Sequence, residues 1–263
     1  MQFWGDDLDT NIKVKKNKSS IFQRLLTVLC IGVFFFSIFK IGSIFMEYYE
    51  NRKVLAVAQE IFYQPIEEET YVEEGVIRPQ FDPLLEINQD IVGWITIEDT
   101  IVNYPIVQAD DNDYYLYRNY KREDMRAGSI FMDFRNDITD KNRNVILYGH
   151  NMRDGSMFGQ LKRFLDEEFF NSQQTFYFDT LYEGYDVEIF SVYMTTTDFY
   201  YIQTEFHSDD EYLAFLQKII DESMFSTDIV LDATDQIITL STCDKTLDRN
   251  EGRLVVHGKL ITR

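Results

Sequence analysis

Three residues have the types and placing for acyl transfer by a thiol. Cys243 ends an apolar, strand-like run in the stretch "IITLSTCDKTLDRNEGRLVVHGKL", residues 237–260, and the chain's other cysteine is Cys30. The thiolate is the reactive form, so such a cysteine needs a base or a fixed cation beside it. The chain holds three histidines. His207 directly precedes a helix-capping serine and reads as a surface residue. His257 lies within the last strand-like run, on the face of Arg253 and Val255 but about 13 Å further along. In a compact site Arg253 and His257 therefore cannot both adjoin Cys243, and His257 reads as a structural or rim residue. His150 follows "NVILYG" and opens the loop "HNMRDGSMFGQL". Loops at strand ends are where sites are assembled, which makes His150 the better base. Arg253 opens the strand after the Cys243 loop, and its fork of donors suits a peptide carbonyl or a developing oxyanion. The plain alternatives are an inert buried thiol and a solvent-facing arginine.

The compartment decides what a lone thiol means. The first 24 residues carry five basic and three acidic side chains, a net +2, against −20 for the whole chain. Fifteen uncharged residues follow, "LLTVLCIGVFFFSIF", and the apolar run resumes after Lys40 as "IGSIFM". Basic residues before an apolar run are retained on the cytoplasmic side, so the rest is expected outside. Fifteen residues suit a signal-peptide core, but no A-x-A-like cleavage site follows, and Lys40 can snorkel. The reading is an uncleaved single-pass anchor over residues 21–45, with a cleaved signal as the alternative. Cys30 lies inside that segment and cannot pair with Cys243 within one chain. An unpaired thiol exported to an oxidising compartment points to a reactive one. The acidic balance argues against a nucleic-acid partner.

The elements that must position these residues follow in order. A basic leader, 1–20, precedes the anchor. In "MEYYENRKVLAVAQEIFY", Val54, Leu55, Ala58, Ile61 and Phe62 fall at helical spacing, so residues 46–90 read as a helical extension followed by an acidic, proline-bearing connection. From 91 to 263 the pattern is short strands, at 92–97, 101–107, 128–133, 144–149, 174–179, 185–194, 236–242 and 253–261. Eight short strands in one domain favour a closed barrel or a sandwich. One long helix interrupts them: "SDDEYLAFLQKIIDESMF" opens with Ser208 and Glu211 at capping-box spacing, with Tyr212, Phe215, Leu216, Ile219 and Ile220 as its apolar face. The "DDND" at 110–113 is too compact for a calcium loop, and no metal or other cofactor is expected.

With these residues in place the chain resembles the sortases, membrane-anchored cysteine transpeptidases of Gram-positive bacteria. The resemblance rests on "TLSTC" followed by Arg253, with His150 in "YGHNM". Class B is indicated by "VGWITI", "YPIVQADDNDYYL", "AGSIFMDFRND" and the helix at 208–224, and "RLVVHGKL" fits the closing strand. The resemblance spans about residues 46–263. It implies an eight-stranded β-barrel with an N-terminal helical extension, one long helix before the penultimate strand, and a transmembrane helix. It implies a triad of Cys243, His150 and Arg253. Cys243 would attack the carbonyl of a threonine in a C-terminal sorting signal, NPQTN-like in class B. His150 would protonate the departing tail, and a cell-wall peptide amine would resolve the thioester. Ser241 and Thr242 would contact substrate or simply fill strand positions. Asp244 would orient His150 or cap the loop. Two other readings stay open: a cysteine peptidase that only hydrolyses, and a tethered binding module with an inert thiol.

Overall fold

In the computed structural model, the structure describes residues 19–65, 75–140 and 142–263. The basic leader up to residue 18 and most of the acidic connection, residues 66–74, lie outside the described residues. The chain divides between Met46 and Glu47 into two compact units.

Helix α1 runs Ser19–Phe62, 44 residues. Its part from residue 21 is apolar and long enough to cross a membrane, and Leu25, Phe34, Phe39 and Phe45 are all exposed. In the second unit the same helix turns amphipathic. Leu55, Ala58 and Phe62 are buried there, and Phe62 stacks on Trp94 with ring centroids 4.1 Å apart and 4° between planes.

The second unit is a closed barrel. Its strands are β1 (Ile91–Thr96), β2 (Asn103–Val107), β3 (Ile130–Met132), β4 (Asn144–Tyr148), β5 (Thr175–Thr180), β6 (Gly184–Thr196), β7 (Ile237–Cys243) and β8 (Gly252–Thr262), in the order β1-β2-β3-β4-β7-β8-β6-β5. All eight strands read from the sequence are present, with ends shifted by a residue or two. The second begins at Asn103 rather than 101, because Ile97 N donates to Val102 O and the Thr100 hydroxyl to Ile97 O, closing the turn first. Short helices α2 (Asp82–Ile87) and α3 (Glu167–Ser172) lie in the connections.

Alternation sorts the side chains of β7 and β8. Ile238, Leu240, Leu254 and Val256 join the barrel interior. Ile237 and Val255 join a second layer with Phe190, Tyr193 and Tyr201 beneath helix α4 (Asp209–Asp221). Both faces of these strands are thus covered, which explains their nearly continuous apolar runs. Ser208 caps α4 by accepting from Glu211 N, while Glu211 Oε2 accepts from His207 N at 2.8 Å. Tyr212, Phe215, Leu216 and Ile219 form the buried stripe. Ile220, expected there, is 37% exposed because it falls at the edge of that stripe.

Candidate active site

Strand pairing brings the three candidate residues to one end of the barrel. In the antiparallel β7–β8 ladder Cys243 lies directly opposite Arg253. Directly opposed residues send their side chains to the same face. On its other side β7 runs parallel to β4, with Tyr148 level with Ser241. His150 follows two residues beyond that last pair, where β4 has ended. Bonds across this seam fix the alignment: Thr242 Oγ1 donates to Gly149 O at 2.7 Å, and Asn151 Nδ2 donates to Cys243 O at 2.9 Å.

Each side chain is held by local chemistry. Cys243 is exposed, whereas Ser241 and Thr242 are 3% and 2% exposed. The loop beyond the thiol is built on aspartate turns: Asp244 Oδ1 accepts from Thr246 N at 2.7 Å, and Asp248 Oδ1 from Asn250 N at 2.8 Å and Glu251 N at 2.7 Å. Asp244 N donates to Gly252 O at 2.9 Å, which closes the loop where β8 begins. A Cβ at Gly252 would stand 2.0 Å from Asp244 O, so only glycine lets the loop close here and deliver Arg253 opposite the thiol.

Arg253 Nη1 donates to Asn250 O at 3.1 Å and to Gly252 O at 2.9 Å. Among the described residues it forms no ion pair with a carboxylate. Its remaining donors are therefore available to an acyl oxygen.

His150 is fixed through both backbone and ring. Its carbonyl accepts from Met152 N at 3.1 Å and Phe158 N at 3.0 Å. Its Nε2 lies 2.8 Å from Leu116 O. A carbonyl only accepts, so Nε2 carries the proton and Nδ1 is left to exchange one. Tyr117 packs on the ring at 5.4 Å between centroids. Burial pushes the imidazole below its ordinary pKa; the Leu116 carbonyl opposes this, and the Arg126 charge adds to it. At neutral pH His150 is thus a neutral base.

The remaining sequence candidates fall elsewhere or are occupied. His257 is fully buried: Nδ1 is 2.8 Å from Thr239 Oγ1 and Nε2 is 2.8 Å from Tyr193 OH. It pairs with Thr239, four residues back along β7 from Cys243. Burial holds its pKa down to about 3. Ser241 Oγ is 2.8 Å from Tyr201 OH, and Thr242 is bonded to Gly149.

Sequence reasoning missed three groups at the site. Asn151 follows the histidine immediately, and that adjacency was its only signal. The Leu116 carbonyl has no side-chain signature at all. Tyr201 sits in the aperiodic aromatic stretch "DFYYIQTEF" between β6 and α4. Burial raises its phenol pKa; the Ser241 bond and the Arg253 charge lower it, and Cys243 raises it again. It therefore lies within the field of both reactive-site residues.

A nucleophile with a cation opposite and a neutral base on the next strand can carry out acyl transfer through a thioester. The Sortase domain family matches residues 95–261. Sortase B of Listeria monocytogenes is 44% identical over 244 residues, 93% of this chain and 98% of that protein. The crystal structure of sortase B from Bacillus anthracis in complex with AAEK1 is 62% identical with a TM-score of 0.75, covering 83% of this chain and all of that one. A Staphylococcus aureus sortase B–substrate complex is 38% identical with a TM-score of 0.76, covering 82% of this chain and 99% of that one. By fold and by these relatives the chain belongs to the sortase family, as a cysteine transpeptidase of the sortase B type.

Proposed function

We propose that the enzyme cleaves a C-terminal sorting signal after threonine and joins the protein to a cell-wall peptide amine. The observation that carries this is the placing of Cys243 between Arg253 and the strand end that bears His150. His150 Nδ1 takes the Cys243 thiol proton, the resulting thiolate attacks the threonine carbonyl carbon, and the carbonyl oxygen becomes an oxyanion facing the open donors of Arg253. As the peptide C–N bond breaks, His150, protonated at Nδ1, gives that proton to the departing amine. The acyl group is left as a thioester. An acceptor amine then attacks the thioester, His150 takes its proton and passes it to the departing sulfur, and the thiol is released.

The substrate-bound relative supports a sorting-signal peptide as substrate. The signal is NPQTN-like on the class B resemblance. Ser241, Thr242 and Asp244 border the thiol, and we assign them to shaping the substrate groove, Ser241 through its bond to Tyr201. The apolar stretch over residues 21–45 serves as a single-pass anchor with residues 1–20 in the cytoplasm. The extension 46–90 and the catalytic barrel 91–263 are then extracellular.

The test is mass spectrometry of the protein incubated with a panel of sorting peptides. A mass increase on Cys243 equal to the acyl fragment is expected, and its transfer to an added amine separates a transpeptidase from a hydrolase. Peptide cleavage without an adduct on Cys243 overturns the reading.

A further inference from the structure

Two loops and the end of β4 converge on one buried carboxylate. Asp133, directly after β3, is fully buried. Its Oδ2 accepts from Asn112 Nδ2 at 3.1 Å, from Tyr148 OH at 2.8 Å and from Arg135 Nη2 at 2.8 Å. Its Oδ1 accepts from Arg135 Nε at 2.8 Å and Arg135 N at 3.0 Å. This is a two-pronged pair, the geometry that fixes a guanidinium in plane.

The same guanidinium then reaches across to the segment between β6 and α4. Nη1 donates to Tyr200 OH at 3.0 Å, and Nη2 donates to Ile202 O at 3.0 Å. Arg135 thus grips both neighbours of Tyr201. Tyr201 is buried, with its hydroxyl on Ser241, two residues before Cys243 and on the same strand face. Among the described residues, the 197–207 segment forms no strand or helix of its own before α4 begins. Its place over the β7–β8 face rests on packing of Phe199, Tyr201, Ile202 and Phe206 in the second layer and on side-chain ties. Asn144 supplies two, to the Tyr201 and Gln203 carbonyls, and Arg135 supplies two.

We infer that Arg135 is a positioning residue: anchored by Asp133, it holds the Tyr200–Ile202 segment beside Cys243 and Arg253, and so sets how tightly the sorting-signal peptide binds. This deepens the proposed reaction and rests on it. Lysine cannot replace arginine here, because one ammonium cannot hold a carboxylate in plane and also bridge a phenol and a carbonyl.

The experiment uses the full chain in detergent and an NPQTN-containing peptide. It compares wild type with Arg135→Lys, Arg135→Ala and Tyr200→Phe. Tyr200 is 56% exposed, so its variant keeps the fold while losing one tie. The readouts are KM, kcat and iodoacetamide alkylation mapped to Cys243. For Arg135→Ala we expect KM to rise about tenfold or more, with kcat and alkylation within about twofold of wild type. Arg135→Lys should give no rescue, and Tyr200→Phe should fall between. A KM within twofold of wild type in Arg135→Ala overturns the inference, as does a parallel loss of turnover and alkylation, which marks a purely structural residue. If wild type forms no acyl adduct on Cys243, the reaction reading itself fails and the inference falls with it.

Discussion

Cys243 and Arg253 are direct partners across the β7–β8 ladder, whereas His257 on the same strand pairs with Thr239, four positions away from the thiol. One register thus separates the arginine that faces the nucleophile from the histidine that serves the core.

That pairing gives the first expectation. Cys243→Ala should lose all peptide cleavage and keep the fold, since the side chain is exposed. Losing one oxyanion donor typically costs about 10²–10³ in turnover. Arg253→Lys should therefore cost at least about tenfold, and Arg253→Ala more, in cleavage at neutral pH. Alkylation of Cys243 by a small neutral reagent should suffer much less, because no carbonyl oxygen is being stabilised. Equal losses in the two assays would mean that Arg253 acts on thiol ionisation instead.

For the base, His150→Ala should abolish turnover. Burial lowers the folded-state pKa of His150 below the ordinary value of about 6.5. The acid limb of the kcat/KM profile should accordingly lie below pH 6.5, with the neutral imidazole active above it. A limb above 6.5 would assign that titration to another group.

His257 should behave oppositely, as a stability residue. Its folded-state pKa is about 3, against about 6.5 unfolded, so below pH 6.5 the unfolded chain takes up a proton that the folded one refuses. Its contribution is full above pH 6.5 and is lost as pH falls, at roughly 1.4 kcal/mol per pH unit. In urea titrations at pH 4.5 to 7, His257→Gln should flatten this slope while keeping most activity per folded molecule. His257→Ala should be less stable still, since it strands the Tyr193 hydroxyl, at about 1–3 kcal/mol for a buried group left unpaired, while Thr239 keeps its bond to Asn144. An unchanged slope in His257→Gln would show that the histidine is not buried neutral.

The buried Asp133 gives a separate acid effect. Burial raises its pKa, but the Arg135 guanidinium and N–H and the Tyr148 hydroxyl outweigh this and hold it below the ordinary carboxylate value. Its contribution to stability is present above about pH 3.9 and disappears as pH falls through the lower folded-state value. Asp133→Asn should therefore lower the melting temperature at pH 7, and the gap to wild type should narrow below pH 4. A gap independent of pH would show that the carboxylate charge contributes nothing.

At the membrane, full-length protein should fractionate with membranes at full mass, with the domain beyond residue 46 open to external protease. A soluble, N-terminally shortened form would identify the apolar run as a cleaved signal.

The sequence by itself determined the features that depend on neighbours along the chain. Short runs rich in Val, Ile, Tyr and Phe, punctuated by Gly, Asn and Asp, marked all eight strands, Ser208 and Glu211 marked the start of α4, and a lone thiol at a strand end marked Cys243. The relation between distant strands was decided only by the tertiary structure. Parallel pairing of β4 with β7 ties Asn151 to the Cys243 carbonyl across 92 positions, and Arg135 reaches Tyr200 across 65. Those contacts follow from barrel closure and shared register, which local propensity does not encode. Burial was decided there too. Arg253 and His257 lie on one face of one strand, yet one opens to solvent beside the thiol and the other is sealed under the layer that α4 covers.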